Sequence, residues 1–279
     1  MNMIADIRKA ISSLYPQYEA EAVARMIAED IFGFSLTDCL ADRVTLSVSQ
    51  QAQLESVIRR LQSGEPVQYI IGSTVFCGHR FLVNPSVLIP RPETEDLVNL
   101  ILCDVGDCSQ QLDVCDAGTG SGCIAISLQK AMPQSRVTAL DISQEALEVA
   151  RRNAMENCSS VHFLQADMLS TTAMPDGPWD VIVSNPPYVM DCEKAAMSVQ
   201  VKHYEPSAAL FVPDDNALLY YAAIAQWGYT TLSPRGVIYC ELNSSLATET
   251  EQLFRRYGFT QVSLHYDRYN KYRFIKCGR

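Results

Sequence analysis

With 279 residues, the chain is long enough for one large domain and a smaller companion, and its 48% hydrophobic and 19% charged residues suit a globular protein. No apolar run reaches the roughly 20 residues that a membrane-spanning helix needs, so no membrane partner is expected. The net charge of −10, from 22 basic and 32 acidic residues, argues against non-specific nucleic-acid binding, which is driven by Lys and Arg, so no direct nucleic-acid partner is expected either. The opening "MNMIADIRKA" lacks the apolar stretch of an export signal, and a cytoplasmic, monomeric protein is the expectation. The ten cysteines are scattered with no C-x-x-C pair. His79, His162, His203 and His265 lack ligand spacing, so no metal is expected.

The first 65 or so residues read as helices. Residues 3–14 form one candidate, and Pro16 separates it from a second over about 17–31, where Val23, Met26, Ile27 and Ile31 share a stripe and Gly33 follows the end. In "SQQAQLESVIRRLQSG" the apolar Leu54, Val57, Ile58 and Leu61 recur at helical spacing, with Ser49 as the expected N-cap and Gly64 past the C-terminus. From Val67 to about Val83 the composition turns β-rich around Cys77-Gly78-His79, which predicts a hairpin. Pro92 then marks the start of another helix.

After Leu112, short apolar segments alternate with helical ones. Strands are expected over 112–115, 136–140, 161–164, 181–184 and 237–241, and helices over 122–131, 144–155, 216–226 and 246–257. The pattern predicts a parallel sheet covered on both faces, ended by a hairpin around "DRYN".

"LDVCDAGTGSGCIAISL" reads as strand, glycine-rich turn and helix start, with Gly118, Gly120 and Gly122 permitting a sharp bend and close approach of a ligand. Such glycines alone often mark only a tight turn. Here the spacing is G-x-G-x-G, with Thr119 and Ser121 between, rather than the dinucleotide G-x-G-x-x-G. Asp116 stands just before the loop, where a carboxylate repels a pyrophosphate and suits a cationic ligand end. Asp141 ends the next strand, 23 residues after Gly118, near the offset at which an acid accepts from ribose hydroxyls. Asp167 ends the third strand, placed to accept from an adenine amino group, with Met168 packing on the ring. A lone aspartate at a strand end is commonly only a turn former. Three at successive strand ends make S-adenosylmethionine the expected cofactor.

"WDVIVSNPPYV" follows a fully apolar strand with Asn185-Pro186-Pro187-Tyr188. Two prolines stiffen the segment and remove N–H donors, so it presents acceptors. The side-chain oxygen of Asn185 and the carbonyl of Pro186 can each take one N–H of a planar –NH2 group, and Tyr188 can cover that group by face contact. Asn-Pro is also a common turn former, but its place after the fourth strand of a chain with the glycine loop favours chemistry.

Together "DAGTGSG", "LDIS", "QADML", "SNPPYV", "GEPVQYIIG" and "LIPRPETE" resemble the glutamine methyltransferases of peptide-chain release factors, the PrmC/HemK family, over nearly the whole chain. The resemblance implies a Rossmann-like, seven-stranded class I methyltransferase domain (α/β) with a small N-terminal helical bundle. Residues 1–65 would be the bundle that docks the release factor, 66–92 a β-hairpin linker and 93–279 the methyltransferase domain. It implies methyl transfer to the glutamine amide of the Gly-Gly-Gln motif in class 1 release factors, giving N5-methylglutamine. Asn185, Pro186 and Tyr188 would be catalytic, with Pro187 also holding substrate; Asp116, Gly118, Thr119, Gly120, Ser121, Gly122, Asp141, Asp167, Met168 and Asn185 would bind cofactor. Glu205 and Pro206 in "HYEPSAALF" match a stretch expected only to position. "CELNSS" departs from the family in showing Leu242-Asn243 for Ile-Gly, and this C-terminal divergence is expected to lie outside the reaction centre.

Two other readings remain open at this point. An N6-adenine nucleic-acid methyltransferase would use the same –NH2 geometry, yet residues 1–70 hold six basic and nine acidic side chains, no obvious phosphate clamp. A non-catalytic binding module on the same fold is the other, which the intact Asn185, Pro186 and Asp141 disfavour.

Overall fold

The computed structural model describes residues 3–41, 45–170 and 174–279. The first elements are helices α1 (Met3–Ile11), α2 (Gln17–Asp30), α3 (Leu36–Leu40), α4 (Val48–Gln62) and α5 (Val67–Ile71), strands β1 (Ser73–Phe76) and β2 (His79–Leu82), and α6 (Pro92–Val105). There follow β3 (Asp113–Ala117), α7 (Cys123–Ala131), β4 (Arg136–Asp141), α8 (Gln144–Glu156), β5 (Val161–Gln165), β6 (Trp179–Ser184) and β7 (Val189–Met190). The chain continues with α9 (Val199–Tyr204), β8 (Phe211–Val212), α10 (Leu219–Thr231), β9 (Leu232–Glu241), α11 (Ala247–Arg256), β10 (Gln261–Tyr266) and β11 (Tyr272–Gly278).

Contacts divide the chain into two compact units, Met1–Ser73 with Ser198–Tyr204, and Thr74–Met197 with Glu205–Arg279. The first division thus falls at Ser73, and a short segment from the far half of the sequence groups with the helices. In this helical unit Ile7, Ile11, Ile27, Leu54 and Leu61 form a shared apolar core. Ser47, not the expected Ser49, caps α4: its hydroxyl accepts from Gln50 N while the Gln50 side chain returns to Ser47 N, a reciprocal box. Residues 67–71 are helical rather than part of the hairpin. Pro66 starts the turn, Gly72 ends it at φ 84°, and Val67 and Ile70 bury against the helical core, so tertiary packing overrides their β-propensity. The hairpin begins only at Ser73. Within the same unit the Tyr204 hydroxyl donates to Ser63 O at 2.9 Å.

The second unit holds a seven-stranded sheet in the order β10-β11-β9-β6-β3-β4-β5. Strands β5, β4, β3, β6 and β9 run parallel, while β11 joins β9 antiparallel and β10 pairs with β11 as the final hairpin. Each central strand buries both faces, as its continuous apolar run predicts. On β6, Ile182 packs with α10 and α11 residues such as Ile224 and Phe254, while Val181 and Val183 face the α6–α7 side with Ile101 and Ile126. Ile182→Ala would open a cavity costing about 2–5 kcal/mol. The parallel strands bring the carboxyl ends Ala117, Asp141, Gln165, Ser184 and Glu241 to one edge, and the order reverses beside β3, where open α/β sheets bind ligands. α10 runs from Leu219 to Thr231, later than the expected 216–226, because a 3-10 turn occupies Asp214–Asn216.

Candidate active site

At that edge β3 runs into the glycine turn. Gly118 N and Thr119 N donate to the Leu140 carbonyl at 2.9 and 2.8 Å, which binds the turn to the end of β4. Gly118 holds φ 77°, and a Cβ there would lie 3.0 Å from Met168 Cε, so strain and crowding both require glycine. Asp141 accepts from Gly120 N at 2.8 Å through Oδ2 and from Ser143 N at 2.9 Å through Oδ1. Each oxygen keeps a further lone pair. Burial raises its pKa, while those N–H donors and Ile142 N oppose the shift. Asp167 Oδ1 accepts from Leu169 N at 2.9 Å, an Asx turn that fixes its carboxylate.

A cavity of about 410 Å³ opens here, within the size range of small-molecule sites. Its charged lining is Arg91 with Asp141, Glu145 and Asp167, and the guanidinium of Arg91 is already paired with Glu205 at 2.5 Å. Glu205 is buried and also accepts from Ile89 N at 3.2 Å, tying the 88–91 segment to the 205–209 segment, both of which line the cavity. The walls offer acceptors to a ligand with hydroxyl, amino and cationic groups. Gly120 lines this space, and apart from its chain neighbours no atom of the described residues lies within 4 Å of where its Cβ would be, leaving room for a ligand. The residues present therefore fit S-adenosylmethionine, and they do not fit a pyrophosphate.

The lining also includes Asn185, the residue that follows β6. Its Nδ2 donates to Thr94 Oγ1 at 3.3 Å, and Thr94 in turn donates to Glu241 Oε2 at 2.7 Å. Glu241 Oε1 accepts from the Tyr188 hydroxyl at 2.9 Å. Burial raises the Glu241 pKa, opposed by the Thr94 and Tyr188 hydrogen bonds and by Arg273. Burial likewise raises the Tyr188 phenol, reinforced by the Glu241 charge, so Tyr188 stays a neutral donor. Asn243 Nδ2 donates to Tyr188 O at 3.2 Å and to Glu193 Oε2 at 2.8 Å.

A family profile described as the PrmC N-terminal domain matches residues 7–72, and one described as the methyltransferase small domain matches 96–209. The chain is 41% identical to a release factor glutamine methyltransferase of Bacteroides thetaiotaomicron over 100% of both chains. It is 40% identical to the Flavobacterium psychrophilum protein of the same name, over 96% of this chain and 95% of that one. The chain belongs to the release factor glutamine methyltransferase family. A solved methyltransferase from Pyrococcus furiosus, 18% identical, matches with a TM-score of 0.53 over 84% of this chain and 100% of that one, a likeness of fold alone. The fold is accordingly that of the class I, S-adenosylmethionine-dependent methyltransferases.

Of the residues that sequence reasoning assigned to this family's site, Gly118, Thr119, Gly120, Ser121, Asp141, Asp167, Met168, Asn185 and Pro187 line the cavity. Four do not. Asp116 is fully buried behind the loop, where Oδ2 accepts from Thr119 Oγ1 at 2.6 Å and Ala125 N at 3.2 Å while Oδ1 has no partner among the described residues. It shapes the loop, and the expected direct contact with a cationic ligand end is not available in this arrangement. Gly122 enters α7 at φ 81°, packed under Ala150 and Ile126. Pro186 is buried, and Tyr188 packs on the α10–α11 core with its hydroxyl drawn to Glu241, so its ring does not form the cavity face expected of it. Asn243 does not line the cavity either, and it holds the Tyr188 carbonyl from outside it. Sequence reasoning missed Thr94, Glu241 and Tyr220. Thr94 sits inside the quoted "LIPRPETE", and Glu241 is a buried acid ending an apolar strand, a pattern that itself signals a partnered group.

Proposed function

We propose that this chain transfers a methyl group from S-adenosylmethionine to the side-chain amide nitrogen of the glutamine in the Gly-Gly-Gln motif of class 1 release factors, giving N5-methylglutamine. The observation that carries the reading is the orientation of Asn185: with Nδ2 committed to Thr94, its Oδ1 is left as an acceptor on a side chain that lines the cavity. S-adenosylmethionine, when bound, supplies an electrophilic methyl carbon on a sulfonium. Asp141 and Asp167 would hold its hydroxyl and amino donors, and Gly118 to Ser121 would let it approach the backbone. Asn185 Oδ1 would take an N–H bond of the glutamine amide. A carboxamide nitrogen is a weak nucleophile because its lone pair is delocalised, and a fixed acceptor orients it and stabilises the positive charge that grows on it. No strong base is needed, because the alkylated nitrogen is acidic and releases its proton to solvent. The helical unit, Met1–Ser73 with Ser198–Tyr204, would dock the release factor.

The test is direct. Incubation with S-adenosylmethionine and a release factor, followed by peptide mass spectrometry, should locate a gain of one methylene on the Gly-Gly-Gln glutamine. Methyl transfer to adenine in nucleic acid instead, or none to the glutamine, would refute the assignment.

A further inference from the structure

Asparagine oxygen and nitrogen have nearly the same shape, so the amide of Asn185 can sit either way round unless its hydrogen bonds discriminate. Thr94 supplies the discrimination. Its hydroxyl has one hydrogen, and that hydrogen goes to Glu241 Oε2 at 2.7 Å. The Thr94 oxygen is thereby left as an acceptor toward Asn185, matched by Nδ2 at 3.3 Å. Turned over, Asn185 would set two acceptors against each other and point a donor where a substrate amide brings its own donors. The remaining Glu241 oxygen takes the Tyr188 hydroxyl, and Tyr221 OH donates to the Glu241 carbonyl at 3.1 Å, which holds the strand end that carries the carboxylate.

We propose that Glu241, acting through Thr94, is the positioning residue that fixes the acceptor orientation of Asn185 and at the same time anchors Tyr188. This rests on the methyl-transfer reading above and adds two residues to it, neither of which needs to touch the substrate. One buried carboxylate at the end of β9, reached by Thr94 from α6 and by Tyr188 from the segment after β6, orders both polar side chains of the Asn-Pro-Pro-Tyr segment. The dependence on a single hydroxyl hydrogen makes the idea sharp, because removing that hydroxyl leaves the shape of the wall almost unchanged.

The experiment compares the full-length wild type with Thr94→Val, Thr94→Ser and Glu241→Gln, measuring kcat and KM for a release factor, S-adenosylmethionine affinity by calorimetry, and melting temperature. Thr94→Val should lower kcat roughly 10- to 100-fold through loss of orientation, with KM and cofactor affinity within about twofold. Thr94→Ser, which keeps the hydroxyl, should recover the rate to within about threefold of wild type. Glu241→Gln offers a donor as well as an acceptor to Thr94, so it should slow turnover like Thr94→Val; should that variant fail to fold, the threonine pair decides alone. An active wild type with an unimpaired Thr94→Val, or with serine and valine equally slow, would overturn the inference. A loss confined to cofactor affinity would do the same. A wild type that leaves the glutamine unmethylated overturns the proposed function, and this inference with it.

Discussion

The two walls of the cavity are built by different means. On the glycine-loop side, carboxylates are oriented by backbone N–H groups close in the chain: Asp141 by partners 21 and 2 residues away, Asp167 by one 2 residues away. On the Asn185 side, the hydrogen bonds join side chains 91, 147 and 53 residues apart. A wall made of local turns forms wherever the strand ends are in place. A wall made of distant side chains exists only when the whole sheet and α6 are assembled, and it can fix an amide plane in a way a turn does not. The first kind suits holding a ligand, and the second suits orienting a reacting group.

That contrast predicts that damage on one side shows in turnover and on the other in cofactor affinity. The largest effect is expected for Asn185→Ala, with turnover at saturating substrates down roughly 10²-fold or more and S-adenosylmethionine affinity changed much less. Stopped assays with saturating cofactor would measure it, and a near-normal rate would erase the distinction between the walls. Asp141→Ala should weaken cofactor binding by about 1.5–3 kcal/mol, the range for hydrogen bonds to a charged group. It should do so largely without a change in kcat once cofactor saturates. Calorimetry showing unchanged affinity would remove Asp141 from the binding wall.

Asp116 sharpens the comparison from behind the loop. Desolvation pushes its pKa up from 3.8 to about 7, despite hydrogen bonds from Thr119 and Ala125 that favour the charged form. Between those two values the folded chain keeps a proton that the unfolded chain has released. The stability contributed by this group is therefore complete below about pH 4, is lost as pH rises toward about 7 and changes little above it. Asp116→Asn keeps an acceptor for Thr119 and cannot ionise. Its melting temperature relative to wild type should rise by a few degrees across that window, and a constant difference from pH 4 to pH 8 would refute the assigned titration.

The sheet and the local wall were legible in the sequence because their signals are local too. Apolar runs gave the strands, and the acids at strand ends lie beside the turns that orient them. The hairpin boundary failed at 67–71, where Val67 and Ile70 obey a helical core rather than their own propensity. Tyr188 was misplaced because its hydroxyl is claimed by Glu241, 53 residues on, a partner that no spacing rule connects to it. Asp116 was misread for a related reason: a carboxylate at a strand end can turn toward the ligand or back into the loop, and Thr119 and Ala125 decide for the loop. Thr94 lay in plain view inside a quoted motif, but only tertiary structure shows which way its hydrogen goes.

The smallest effect should come from Asn243, at the outer end of the side-chain wall. Its backbone angles, φ −70° and ψ 119°, suit any residue, so glycine, the residue expected there from the family resemblance, can replace it without backbone strain. Asn243→Gly removes the donor to Tyr188 O and Glu193 Oε2 and the acceptor of Ser245, but Glu193 keeps Met190 N as a partner. The expected cost is about 1–2 kcal/mol of stability in urea unfolding, with turnover down only a few-fold, since Glu241 and Thr94 still orient Tyr188 and Asn185. A loss of rate as deep as that of Asn185→Ala would mean that the Tyr188 main chain, rather than the Asn185 amide plane, is what the distant side chains are holding in place.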